Sequence, residues 1–194
     1  MQINKLKRFN LIKRKLQKYG DKLGKGIDKD ILETVAILNA LGIHTSGSCG
    51  GHLKWGVGAP WIDIEAKNTK KLEGEVQESY DIAVKAQELG KGDKKVKQLF
   101  NHHHFLRIKL KTINISMSRK LWPYLTDYYN KRNPDFDSRL TLTFYSRGIG
   151  RLQSQGAEFQ ETRPSKEREM KLVKYQNEMK KFTKHLMNKY ISEK

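Results

Sequence analysis

Ile3, Leu6, Phe9, Ile12, Leu16 and Tyr19 recur every three or four residues, with lysines and arginines between them. That spacing predicts a basic amphipathic helix, ended by Gly20 and a Gly24-Lys25-Gly26 linker. Asp28 is placed to cap a second helix whose Ile31, Leu32, Val35, Leu38 and Leu41 form one apolar face, with Gly42 at its C-terminal stop. Ile43 to Ser46 reads as a short strand and Gly47 to Pro60 as a loop holding five of the 15 glycines. From Ile62 to Glu65 apolar and acidic residues alternate, the period of a half-buried strand that begins at Trp61.

Asn68 is read as the cap of a third helix running to about Leu89, followed by a turn at Gly90-Lys91-Gly92-Asp93. Residues 94–118 carry two patterns. Val96, Leu99 and Phe100 favour helix, whereas Phe105 to Ile115 alternates as a strand would, with Leu106, Ile108 and Leu110 facing one way. The strand reading is preferred there. Leu121, Leu125, Tyr128 and Tyr129 return to helical spacing, and Leu140 to Tyr145 alternates cleanly before a Ser146–Gly150 hairpin turn. After Pro164, Leu172, Tyr175, Met179, Phe182, Leu186 and Tyr190 trace one stripe of a long terminal helix.

These elements predict an α+β fold: a small antiparallel or mixed sheet covered by helices, with long basic N- and C-terminal helices. Three segments follow from the same pattern. Residues 1–26 are a basic helix and linker, 27–160 an α+β core, and 161–194 a basic terminal helix. At 194 residues and 37% hydrophobic content the chain can furnish a core. No apolar run approaches the roughly 20 residues of a membrane span. The N-terminus has no apolar h-region, and a single cysteine rules out an intramolecular disulfide framework, so a cytoplasmic location is expected.

Charge changes the picture most. The formal net charge is +18, distributed as +8 over residues 1–26, −4 over 27–90 and +14 over 91–194. Basic flanks around an acidic-leaning centre point to a polyanionic partner, with nucleic acid expected and RNA favoured. Lys13 and Arg14 on the first helix are candidate phosphate contacts. Arg147 and Arg151 around the hairpin turn are two more, suited to bidentate phosphate binding.

The candidate chemistry sits in His44-Thr45-Ser46-Gly47-Ser48-Cys49-Gly50-Gly51-His52, followed by Trp55, Trp61 and Asp63. Gly47, Gly50 and Gly51 permit close backbone approach to a ligand, and Thr45 and Ser46 add hydroxyl donors. Trp55 and Trp61 supply apolar surface for a bound nucleotide or cofactor. Cys49 and His52 are close enough to pair as thiolate and imidazole or to ligate one metal ion, with Ser48 and Asp63 as further candidate catalytic groups. A cysteine so placed is expected to have a lowered pKa. His102-His103-His104 reads as a polar surface patch, and no metal centre is assigned to it. Nothing in the sequence names a cofactor or an oligomeric state.

The Ser-Cys-Gly-Gly-His-Leu stretch with Pro60-Trp61-Ile62-Asp63-Ile64-Glu65 resembles an uncharacterised bacterial family with a Gly-Ser-Cys-x-Gly-His loop. That likeness runs over most of the chain and implies no particular activity; Gly50 stands where that family usually has Glu. Over about residues 28–65, Thr45-Ser-Gly-Ser-Cys-Gly-Gly-His52 also resembles the Thr-x-Ser-Ser-Cys-Ser-Gly-Arg loop of the wybutosine-synthesis tRNA methyltransferases. Gly47 and Gly50 replace serines of that loop, and His52 replaces its arginine. This second likeness implies a tRNA-directed protein. A small-molecule or metal-dependent enzyme using Cys49 and His52, and a non-catalytic interaction module, are the alternatives.

Overall fold

A computed structural model of the chain describes residues 2–20, 24–54 and 57–192. The described residues form α1 (Gln2–Leu16), α2 (Lys29–Ala40), β1 (Thr45–Cys49), β2 (Trp61–Ile64), α3 (Lys70–Glu88), α4 (Asp93–Arg119), α5 (Trp122–Tyr129), β3 (Leu140–Phe144), β4 (Gly150–Ser154) and α6 (Ser165–Ser192). The four strands make one antiparallel sheet in the order β1-β2-β4-β3, so the fold is α+β as the sequence pattern predicts.

Strand alternation gives the sheet a dry face and a wet one. Ile62, Ile64 and Leu152 point to the dry face and are fully buried. They meet Ile31, Val35 and Leu38 of α2, Leu121 just before α5, Tyr128 of α5, and Met179, Phe182 and Leu186 of α6 in one cluster. Phe9 of α1 and Tyr190 of α6 belong to the same cluster, with Ile12 and Leu16 packed against it. The Lys5 ammonium also donates to the Tyr190 carbonyl, at 2.7 Å. The N-terminal helix is therefore docked on the body through Phe9, Ile12 and Leu16, while Ile3, Leu6 and Tyr19 of the predicted stripe are exposed.

Residues 105–115 are helical, not a strand. Leu106 and Leu110 are buried while Ile108, read as their partner on a strand face, is 43% exposed. The buried stripe continues at four-residue spacing through Asn114 and Ser118. These two polar residues are buried because each bonds the end of the sheet. Asn114 accepts from the Ala66 amide at 3.0 Å and donates to the Arg147 carbonyl at 2.9 Å, while Ser118 donates to the Ile64 carbonyl at 3.4 Å. A hydrophobicity pattern misses a helical stripe completed by polar groups. The third helix also starts later than read: Thr69 is its N-cap, and Asn68 takes a left-handed conformation (φ 61°) just outside it.

The hairpin turn between β3 and β4 presses on α4. Gly148 has φ 74°, and a Cβ there would lie 2.5 Å from the Lys111 carbonyl oxygen, so only glycine lets the turn and the helix approach.

Because Phe9 is only 5% exposed, Phe9→Ala is expected to cost about 3–5 kcal/mol in equilibrium denaturation, the range for truncating a buried aromatic. A loss below about 1 kcal/mol, within the range of surface changes, would instead mark α1 as an arm outside the cooperative core.

Candidate functional site

The Gly/Ser-rich segment after α2 is a strand because β2 supplies its hydrogen bonds, not because its side chains favour one. β1 pairs antiparallel with β2, placing Cys49 opposite Trp61, Ser48 opposite Ile62 and Gly47 opposite Asp63, with an irregularity between Thr45 and Gly47. Residues directly opposite share a face. Cys49, Trp61, Gly47 and Asp63 thus lie on the wet face, which β4 extends with Arg151 opposite Asp63 and Gln153 opposite Trp61. Ser48 sits on the other face, opposite the fully buried Ile62. It is turned away from Cys49, so strand alternation separates this candidate catalytic hydroxyl from the thiol.

Past the end of β1 the chain turns at Gly50-Gly51, and three ionisable groups meet. The Asp28 carboxylate accepts from the Gly50 amide at 2.7 Å and lies 3.1 Å from His52 Nε2. The Gly51 amide donates to Cys49 Sγ at 3.4 Å. One ligand atom each from Asp28, Cys49 and His52 falls within 4.8 Å of the other two. The sequence reading took Asp28 only as a helix cap. It occupies that position, but its carboxylate makes no side-chain capping bond and reaches 22 residues ahead to the loop instead. No spacing rule marks that contact, which depends on α2 standing beside the end of β1.

The loop is held from both sides. Gln176 of α6 donates to the Gly50 carbonyl at 3.0 Å, and the His52 amide donates to the Val57 carbonyl at 3.2 Å. Gly51 has φ 85°, and a Cβ there would lie 2.7 Å from Leu172 and 2.8 Å from the Ala59 backbone. A Cβ on Gly50 would meet the Asp28 side chain at 3.2 Å. Gly51 is required by its conformation and close packing, while at Gly50 a side chain would press on Asp28.

Burial pushes the Cys49 thiol up, and the negative Asp28 beside it adds to the rise, outweighing the opposing Gly51 amide and the more distant Arg151. This corrects the expectation of a lowered pKa. The physical reason is first the burial of the thiol, and then the Asp28 carboxylate beside it.

The other expected site residues go elsewhere. Asp63 and Arg151 form a bidentate pair at 2.7 and 2.8 Å. The Arg151 guanidinium stacks 3.9 Å from the Trp61 ring centre and 4.7 Å from that of Tyr145. Its charge is met by Asp63 and its planar faces are met by the two rings, so these four side chains pin β2 to β4. Gly47 lies under the Trp61 ring, where a Cβ would come within 3.3 Å. Thr45 accepts from the Asn39 amide group at 2.8 Å. Ser46 is exposed beside Glu65, whose carboxyl burial raises while Ser46 lowers it. Arg147 is half exposed in the hairpin turn, 3.4 Å from Glu73. Trp55 lies outside the described residues. His103 contacts Ser79 and the Val76 carbonyl at 3.2 Å, while His102 and His104 are exposed on α4. The histidine triplet is dispersed around a helix.

Five lysines converge elsewhere. Where α1, α2 and α6 meet, a groove of about 760 Å³ is lined by Lys13, Lys29, Lys180, Lys181 and Lys184, together with Asp30, Glu33 and apolar Leu32 and Met187. Lys13 pairs with Glu33 and Lys180 with Asp30. Among the described residues Lys29, Lys181 and Lys184 have no acidic partner within 4.0 Å. Asn177 and Lys181 also line a neighbouring hollow of about 450 Å³ that contains Arg132 and Lys174. The two hollows share Asn177 and Lys181 of α6, and in the second Arg132 and Lys174 are paired with Glu178 and Asp135. In sequence, Lys29 and Asn177 adjoin Asp28 and Gln176, the two residues that hold the loop.

With its pKa raised, native Cys49 is expected to react with iodoacetamide at neutral pH more slowly than the same thiol in denaturant. Its rate should climb steeply on the alkaline side, where the thiolate forms. Gly51→Ala, which cannot keep the loop packed, should bring the native rate towards the denatured one. A native thiol that alkylates faster than the denatured one at neutral pH would show that the pKa is lowered after all. Comparison of the chain with family models, with curated proteins and with solved structures finds no match.

Proposed function

We propose that this protein is directed at nucleic acid, RNA foremost, which lies along the α1–α2–α6 groove and presents a nucleotide to the loop holding Asp28, Cys49 and His52. The observation that carries this reading is the convergence of five lysines from three helices on one groove, three of them without an acidic partner. A folded chain gains nothing from holding like charges together, so their accumulation favours a polyanion that neutralises them. The two lysines that are paired have exposed partners, and such ion pairs contribute only about 0–1 kcal/mol, which a phosphate can replace.

RNA is favoured over DNA by the likeness of the loop to that of the tRNA-modifying enzymes. Lys13 and Arg14, read from the sequence as phosphate contacts, sit on the helix that forms one wall of the groove. Arg151 is committed to Asp63 and contributes by shaping the sheet. Arg147, half exposed on the hairpin turn, is a secondary contact at most. Among the described residues no helix is long and apolar enough to cross a membrane, and a free thiol accords with a cytoplasmic setting.

Binding of a short labelled RNA should weaken linearly in a log–log plot against salt, with a slope of about −0.7 for each phosphate neutralised on a single strand. Neutralising the three unpaired groove lysines together (Lys29→Gln, Lys181→Gln, Lys184→Gln) should flatten that slope by about 2. The same change at Lys94, Lys97 and Lys109 on α4 should leave it nearly unchanged. Equal losses in both variants would reduce the effect to net charge, and no loss in the groove variant would place the partner elsewhere.

A further inference from the structure

We propose that Asp28, Cys49 and His52 are the protein ligands of a divalent transition-metal ion, zinc foremost. The donor set is the first support. One thiolate, one imidazole and one carboxylate oxygen are the ligand types zinc takes, and softness of this mixture disfavours magnesium and calcium, which prefer oxygen alone. Geometry is the second. Ligand atoms around a tetrahedral zinc lie roughly 3.3–3.7 Å apart, given bond lengths of about 2.0–2.3 Å. The three atoms here already lie within 4.8 Å of one another, and the Asp28–His52 pair stands at 3.1 Å. Side-chain rotations of a fraction of a bond length bring them to a common centre.

Charge balance is the third. When the thiol proton leaves to solvent, Cys49 and Asp28 supply two negative charges, and His52 ligates as a neutral ring. Their sum cancels that of a divalent ion. The surroundings also fit a ligand shell. The Gly50 amide fixes the carboxylate and the Gly51 amide points at the sulfur, while Gln176 anchors the turn that carries both. Asp28 and His52 side chains are each 36% exposed, so the ion has a route in from solvent. Three protein ligands leave one tetrahedral position open, the arrangement of catalytic rather than structural zinc.

This inference stands apart from the nucleic-acid reading, because a metal can bind whether or not RNA does. The test is a cobalt(II) titration of the full-length reduced protein after chelator treatment. One equivalent is expected to bind, with an intense sulfur-to-cobalt charge-transfer band and visible bands of a four-coordinate ion, both displaced by one equivalent of zinc. Cys49→Ala should remove the charge-transfer band. Asp28→Asn and His52→Ala should each weaken binding by about tenfold or more, because loss even of an outer-shell partner costs 10–100-fold. His102→Ala should bind as the parent does. Circular dichroism checks that each variant is folded. Should Cys49→Ala fail to fold, wild-type protein alkylated at its one thiol takes its place. Absence of a charge-transfer band in the parent, or binding that survives loss of Cys49 and His52 but not of His102, would overturn the assignment.

Discussion

The buried stripe of α6 is the constraint on which the other elements depend. Tyr175, Met179, Phe182, Leu186 and Tyr190 recur at three- and four-residue intervals, and each is at most 5% exposed. Burying side chains of this size stabilises the fold by roughly 1.5–3 kcal/mol apiece relative to leaving them in water. They contact different parts of the chain in turn. Tyr175 packs with Ala59 and Ala157 beneath the loop, and the four residues beyond it fill the main core with α2, α5 and the sheet. Polar contacts fix the rotation of the helix about its axis. Thr183 meets Thr34 of α2 at 2.7 Å, and the buried Glu178 takes Arg132 and the Tyr129 hydroxyl. Glu178 is a buried charge kept tolerable by these partners, so removing Arg132 leaves an unpaired carboxylate.

Once α6 is fixed in rotation, its two edges acquire distinct tasks. Gln176 reaches the Gly50 carbonyl and sets the height of the loop above the α2 N-terminus, where Asp28 waits. Lys180, Lys181 and Lys184 emerge on the side facing α1 and α2 and complete the groove. The same seam therefore positions a concentrated positive surface and a cluster with negative ligand groups next to one another. The wet face of the sheet plays a supporting part: the Asp63–Arg151 pair, stacked between Trp61 and Tyr145, locks the register that brings Cys49 to the strand end.

Elements whose pattern was purely apolar were legible in the sequence: α1, α2, β2, β3 and the whole stripe of α6. α4 was misread in part, and β1, read as Ile43 to Ser46, runs instead over Thr45–Cys49, each for a physical reason. α4 completes its buried stripe with Asn114 and Ser118, whose desolvation is offset by bonds to the sheet end, so hydrophobicity understates the helix. β1 is built from Thr45-Ser-Gly-Ser-Cys49, residues with little strand preference, and exists because β2 pairs with it. The loop was recognisable from its density of Gly, Ser, Cys and His. The partners of its residues were not, because Asp28–Gly50, Asp63–Arg151 and Gln176–Gly50 join positions 22, 88 and 126 residues apart. Asp28 in particular satisfied the local rule for a helix cap, which hid its longer reach.

The central claim is that the α2–α6 seam is the working surface of the molecule. Lysine acetylation footprinting, read by mass spectrometry with and without a saturating RNA oligonucleotide, addresses it most directly because the basic residues lining the groove are all lysines. Protection confined to Lys13, Lys29, Lys180, Lys181 and Lys184, with Lys94, Lys97 and Lys109 of α4 modified at unchanged rates, is the result this account predicts. Protection of the α4 lysines with the groove left open to the reagent would contradict it.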